Sequence, residues 1–183
     1  MFVSKRMLGL LAILLLMNSV GHAQPHRYSN LFRAPLGLDT YFDYSEALTA
    51  ARRVGKPLLI EFTGHATINA IKIEQHIWPD SAVFPLLRTK YVILQVYVDD
   101  RTPLPKARRG PAGLAHQKPR TLGSEWADWQ QVRFDTNYQP YYVVLNPITE
   151  QRLIPSLPIE SLSDPVALAQ WLQAGSAALS KLR

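Results

Sequence analysis

The chain contains no cysteine. It therefore forms no disulfide, offers no thiolate nucleophile and takes no part in thiol exchange. An exported protein without cysteine relies on its apolar core alone for stability. Acid is scarce as well: 14 Asp and Glu stand against 20 Lys and Arg, a formal charge of +6 over 183 residues. Two of those positive charges, Lys5 and Arg6, lie in a leader segment. Much of the rest sits in one loop at Lys106, Arg108, Arg109, Lys118 and Arg120. That loop lacks the broad basic face and interleaved aromatics of a nucleic-acid surface, so nucleic acid is not an expected partner. A solvated loop, or a weak contact with an anionic surface, accounts for it better.

The longest apolar run, residues 7–17, is too short for a comfortable membrane span. Lys5 and Arg6 precede it, and the small residues Gly21 and Ala23 follow at the positions a signal peptidase reads. Residues 1–23 thus read as a secretory signal peptide cleaved before Gln24, with an uncleaved membrane anchor as the alternative. The expected location is the periplasm or another extracytoplasmic space. No cysteine follows the leader, which excludes a lipoprotein anchor. Residues 24–40 carry Pro25, Pro35 and Gly37 without periodicity and read as an extended N-terminal arm. Residues 41–183 form one domain with an insertion at 101–124, where seven prolines and glycines leave no room for a long element.

Within the domain the stretch 57–78 organises the rest. Leu58, Leu59, Ile60 and Phe62 make a short apolar strand after the Gly55-Lys56-Pro57 break. The chain turns at Thr63-Gly64 and reads as helix from about Thr67, with Ile68, Ile71 and Ile73 apolar and Thr67 as N-cap. A helix over 44–54 precedes this stretch. Asp43 and Glu46 sit there at capping-box spacing, Ala47, Leu48, Ala51 and Val54 form its buried stripe, and Gly55 ends it. Asp80 is placed to cap a short helix through Leu87. A β-branched and aromatic strand follows over 91–98. Trp126, Trp129, Val132 and Phe134 then recur at helical spacing, with core packing preferred to an exposed binding surface for the tryptophans. A strand over 138–145 turns at Asn146-Pro147 and returns over 151–155 as a hairpin. Pro165 opens the last helix, whose apolar side includes Val166, Leu168, Ala169 and Leu172. This order predicts an α/β sandwich with a mixed sheet flanked by helices.

Four segments resemble the thioredoxin-fold family, most closely the C-terminal domain of DsbD-type thiol:disulfide interchange proteins. Tyr41-Phe42-Asp43-Tyr44-Ser45-Glu46-Ala47-Leu48 with Gly55-Lys56-Pro57 looks like the family's lead-in. Glu61-Phe62-Thr63-Gly64 looks like the approach to its Cys-x-x-Cys motif, whose two cysteine positions fall on Thr67 and Ala70. The run from Tyr97 to Pro105 looks like one seen in Bacteroidetes-type members, and Gln139-Pro140-Tyr141-Tyr142 like the family's cis-proline strand. The resemblance implies a thioredoxin-like fold with the redox motif absent. It implies a cis Pro140 and a partner groove at His65, Thr67, Ala70, Gln139 and Pro140, where the backbone of Gln139 would pair with an extended peptide. It places Glu61 at the family's buried acid. That carboxyl is expected either to be raised in pKa by desolvation or to be hydrogen-bonded or partly wet.

Three functions fit this reading. The first is a non-catalytic exported protein that binds an extended polypeptide or an envelope protein. The second is an accessory subunit of an envelope redox or cytochrome-assembly system, docking through the basic loop. The third is an enzyme using Glu61 or His65 as acid or base, which requires both to open into one pocket. No cofactor is expected. His65, Thr67, Glu74 and His76 do not have recognised metal-ligand spacing, so no metal site is expected either.

Overall fold

The computed structural model describes residues 25–104 and 121–182. The expected signal peptide and most of the 101–124 insertion lie outside the described residues. The elements run β1 (Thr40–Tyr41), α1 (Tyr44–Val54), β2 (Leu58–Thr63), α2 (Ile68–His76), α3 (Phe84–Lys90), β3 (Val92–Tyr97), α4 (Leu122–Phe134), β4 (Tyr141–Leu145) and α5 (Pro165–Ser180), with short 3-10 turns at Pro35–Gly37 and Ile159–Ser163.

The four strands form one mixed sheet in the order β1-β3-β2-β4. β3 runs parallel to both β1 and β2, and β4 runs antiparallel to β2. Alternation along β2 divides its side chains between two cores. Leu58, Ile60 and Phe62 face α1 and α4 and pack with Trp126, Trp129 and Val143. Leu59 faces the other side, with Trp78, Tyr142, Val144, Leu168 and Leu172. Burying a side chain of this kind contributes about 1.5–3 kcal/mol, so these two layers carry most of the stabilisation.

Local signals explain the helix ends. The Asp43 carboxylate accepts from the Glu46 N–H, and Gly55 closes α1 in the left-handed conformation at φ 65°. Thr121 and Ser124 cap α4 reciprocally. Asp164 accepts from the Val166 N–H in front of Pro165.

Several expectations are corrected. The return strand at 151–155 does not form. A bridge between Leu145 and Arg152 survives, with the Asn146 N–H donating to the Gln151 carbonyl and the Leu153 N–H to the Val144 carbonyl, and the pairing stops there. Asp80 accepts from the Ala82 N–H and builds a turn, and α3 starts later, at Phe84. Both tryptophans of α4 are buried, whereas Val132 and Val166 face solvent. On α2, Ile73 is buried but Ile68 and Ile71 are exposed. The stretch before β1 packs onto the domain: Phe32 lies in a small cluster with Phe42 and Leu122.

Candidate functional site

The strand register gathers the site at one end of the sheet. Thr63 pairs with Tyr97 at the C-terminal ends of β2 and β3, and Phe62 pairs with Tyr141 at the start of β4. The loop 64–67, the turn after β3 and the 138–140 segment therefore meet at the same end. The Gln139–Pro140 peptide there is cis.

Asp99 shapes the loop. Its Oδ1 accepts the His65 N–H at 2.9 Å and its Oδ2 the Ala66 N–H at 3.4 Å. The carboxylate presses so close that a Cβ at Gly64 would lie 3.0 Å from it and 2.9 Å from Thr67 Oγ1. A side chain there would make the Asp99 carboxylate or the Thr67 hydroxyl shift. Thr67 occupies the N-cap position of α2, but its hydroxyl caps nothing, which corrects the expected side-chain cap. The Asp99 carboxylate takes up donors of the loop ahead of the helix, at His65 and Ala66. Thr67 is half-buried and Ala70 is fully buried.

His65 projects outward with its side chain half exposed, and its Nε2 lies 3.1 Å from Asp100 Oδ2. Its ring stacks on Tyr97 at 4.6 Å and on Phe32 at 5.8 Å. The hydrogen bonds from His65 and from the Thr102 N–H hold the Asp100 carboxyl below its ordinary pKa, against the opposing effect of burial.

Glu61 points into the opposite core layer and is sealed from solvent. Its Oε1 accepts from Tyr142 Oη at 3.0 Å, and Tyr142 Oη accepts from Trp78 Nε1 at 2.9 Å. Its Oε2 accepts from Gln95 Nε2 at 2.7 Å, and the same nitrogen donates to Glu74 Oε1 at 2.9 Å. Burial, then the charge of Glu74, push the Glu61 carboxyl up to about 8, against the hydrogen bonds from Gln95 and Tyr142. Burial raises Glu74 too. Both expected states of Glu61 thus coexist in part: it is desolvated and hydrogen-bonded, and it is dry.

Glu61 and His65 do not share a pocket. One lies in the core and the other pairs with Asp100 outside it, an arrangement that removes the support for an acid–base enzyme built on the two. Among the described residues no group of three or more His, Asp or Glu side chains could hold a metal. His76 lies at the far end of α2 from His65.

The 138–140 segment is held from α4. Gln130, fully buried, donates through Nε2 to the Tyr138 carbonyl at 2.9 Å and accepts from Gln139 Nε2 at 2.8 Å. Gln139 Nε2 also donates to the Asn137 carbonyl at 3.0 Å. The main-chain N–H and C=O of Gln139 have no partner among the described residues.

Sequence reasoning missed Asp99, Gln95, Gln130 and the Trp78–Tyr142 pair. For Asp99 a signal existed, since an acid directly after a strand parallel to β2 reaches the loop that follows β2. For Gln95 the polar residue inside an apolar strand was the clue.

Mixed sheet, helices on both faces and a cis X-Pro beside a strand-to-helix loop define a thioredoxin-like α/β architecture. The family model described as thioredoxin-like matches residues 39–147, and the chain belongs to that family. Among solved structures it is similar to a thioredoxin from Thermus thermophilus, at 19% identity and a TM-score of 0.51 over 74% of this chain and 85% of that one. It is also similar to a DsbH oxidoreductase, at 17% identity and a TM-score of 0.49 over 83% and 92%. A disulphide isomerase from Xylella fastidiosa Temecula1 matches at 14% identity and a TM-score of 0.44 over 75% and 86%. Comparison with curated proteins finds no match. Among the described residues no helix is long and apolar enough to cross a membrane.

Proposed function

We propose that this protein is an exported, non-redox member of the thioredoxin-like family that binds extended polypeptide at the end of its sheet. The groove corresponds in position to the one that the resemblance to DsbD-type interchange proteins implies. The observation that carries the reading is the main chain of Gln139. Its N–H and C=O have no partner among the described residues, and they stand beside Pro140 on a segment immobilised by Gln130. A free backbone donor and acceptor on a rigid segment suits strand addition by an incoming chain, because the ordering cost at the protein is already met. The absence of cysteine limits the interaction to non-covalent binding. The half-buried Thr67 would line the groove where the relatives carry thiols, with the fully buried Ala70 beneath it.

The test is fluorescence polarisation with a labelled, natively unfolded polypeptide such as β-casein. Wild type is expected to bind saturably, and Pro140→Ala, which removes the ring that restrains the segment, is expected to weaken binding by about tenfold, or about 1.4 kcal/mol. Equal binding by both proteins would remove Gln139–Pro140 from the interaction and end the proposal.

A further inference from the structure

The opposite pole of the sheet holds a second concavity. α1 and α3 both end there, and β2 and β3 both begin there. Between them lies a cleft of about 500 Å³, within the span of about 300–1,000 Å³ usual for small-molecule sites. Leu38, Leu87 and Ile93 line it, and each is almost completely buried. Tyr41 and Tyr91 add aromatic wall. Leu36 and Val54 border the same cleft while 45% and 49% exposed, so apolar surface continues to the mouth.

Three cations line this cleft: Arg53, Lys56 and Arg88. Among the described residues none of them forms an ion pair or a side-chain hydrogen bond. The acid among the lining residues, Asp39, is hydrogen-bonded to His26 at 2.5 Å, so three cations face one carboxylate around the cleft. Arg53 and Arg88 are exposed and Lys56 is half-buried. An anion placed among them would give these cations the partner they lack among the described residues.

Arg53 and Arg88 stand in the last turns of α1 and α3, where they also complement the carbonyl ends of those helices. That role accounts neither for Lys56, which lies beyond the end of α1, nor for the apolar walls and mouth.

We propose that the cleft binds a small organic anion with an apolar body, of the alkyl carboxylate class. The chain would lie against the exposed Leu36 and Val54, over a floor of Leu38, Leu87 and Ile93, and the carboxylate among Arg53, Lys56 and Arg88. This site is independent of the groove at Gln139 and Pro140, at the other end of the sheet.

Calorimetric titration of the full chain with octanoate, octan-1-ol and acetate tests it. Octanoate is expected to bind saturably at one site. Octanol, with the chain but no charge, and acetate, with the charge but no chain, are each expected to bind at least tenfold more weakly. Arg53→Gln/Arg88→Gln is expected to weaken octanoate at least tenfold while Lys72→Gln, on the exposed face of α2, leaves it unchanged. Lys56→Gln provides a second variant that leaves both helix ends intact, with a several-fold loss expected. The proposal is overturned if octanoate shows no saturable binding. It is equally overturned if octanol binds as well as octanoate, or if the double variant and Lys56→Gln bind like wild type. Loss of thermal stability in the double variant without any octanoate binding by wild type would assign the arginines to the helix ends alone.

Discussion

Glu61 and Glu74 share one donor: Gln95 Nε2 reaches Glu61 Oε2 at 2.7 Å and Glu74 Oε1 at 2.9 Å. The first carboxyl belongs to β2 and the second to α2, so a single amide ties together the strand and the helix that flank the site loop. Two carboxylates that share a donor, one fully buried and the other half-buried, disfavour joint ionisation.

The pair makes stability depend on pH. Glu61 is pushed up to about 8 in the folded protein, from about 4.3 in an unfolded chain. The folded state therefore holds the proton more tightly. The stability this confers is fully present below about pH 4.3 and is lost as pH rises toward 8, with a slope approaching about 1.4 kcal/mol per unit. The raised Glu74 acts in the same direction. Urea unfolding at pH 5.5, 7 and 8.5 should show a falling midpoint for wild type and a much flatter profile for Glu61→Gln. A wild-type midpoint that holds steady across this range would show that Glu61 is not protonated in the fold.

Gly123 is a packing requirement that touches the site. It sits in the first turn of α4, and a Cβ there would lie 2.4 Å from the Asp100 N and 2.6 Å from the Asp100 O. Both atoms are backbone, so no side-chain rotation relieves the clash. Gly123→Ala should cost about 1–3 kcal/mol, the usual range for overpacking. It should also displace Asp100 from His65, which now lies 3.1 Å away. Thermal unfolding measures the first effect, and a shift of the His65 ring resonances measures the second. Wild-type stability in Gly123→Ala would mean that α4 can slide away from the 98–100 turn at no cost.

The contribution of Gln130 is separable from the core around it. Gln130→Leu keeps the volume but removes the acceptor for Gln139 Nε2 and the donor to the Tyr138 carbonyl. Two hydrogen bonds of ordinary strength predict a loss of about 1–3 kcal/mol. Backbone NMR order parameters should fall at 137–139 more than in β2 or β3. A uniform fall throughout the sheet would show that Gln130 supports the fold at large and not this segment.

The order of elements was legible because each carries a strong local signal. Asp43 with Glu46, Gly55, the run 58–62 and Pro165 all act through neighbours within a few residues, and the structure places them as those signals require. The return strand at 151–155 misled because the Asn146-Pro147 turn signals a reversal of the chain but not how far the returning segment pairs, which here ends at Leu153. Ile68, Ile71 and Ile73 mark a second limit, since only Ile73 is buried. Periodicity identifies an apolar stripe but does not reveal whether anything covers it. The interactions that build the site were the least legible. Asp99 reaches His65 across 34 residues, Gln95 joins Glu61 across 34, and Tyr142 joins Glu61 across 81. Such pairs become visible only when the sheet register is known.

Asp99 also sets what a thiol at position 67 would experience. A cysteine at a helix N-terminus is ordinarily acidified by the free N–H groups and the positive end of the helix dipole. Here the Asp99 carboxylate accepts from the His65 and Ala66 N–H groups of the loop before α2, and it and Thr67 Oγ1 lie 3.0 Å and 2.9 Å from where a Cβ on Gly64 would sit, so its negative charge stands on the Thr67 side of the loop. The thiol introduced by Thr67→Cys should therefore gain little acidification, with a pKa near the free value of about 8.5. Asp99→Asn in the same background removes the charge while keeping an acceptor oxygen, and should lower that pKa by about one unit and raise the alkylation rate at pH 7 several-fold. Iodoacetamide rates from pH 6 to 10 measure both. If Thr67→Cys reacts as an acidified thiol with Asp99 intact, the loop donors are still available to position 67, and Asp99 does not quench the end of α2.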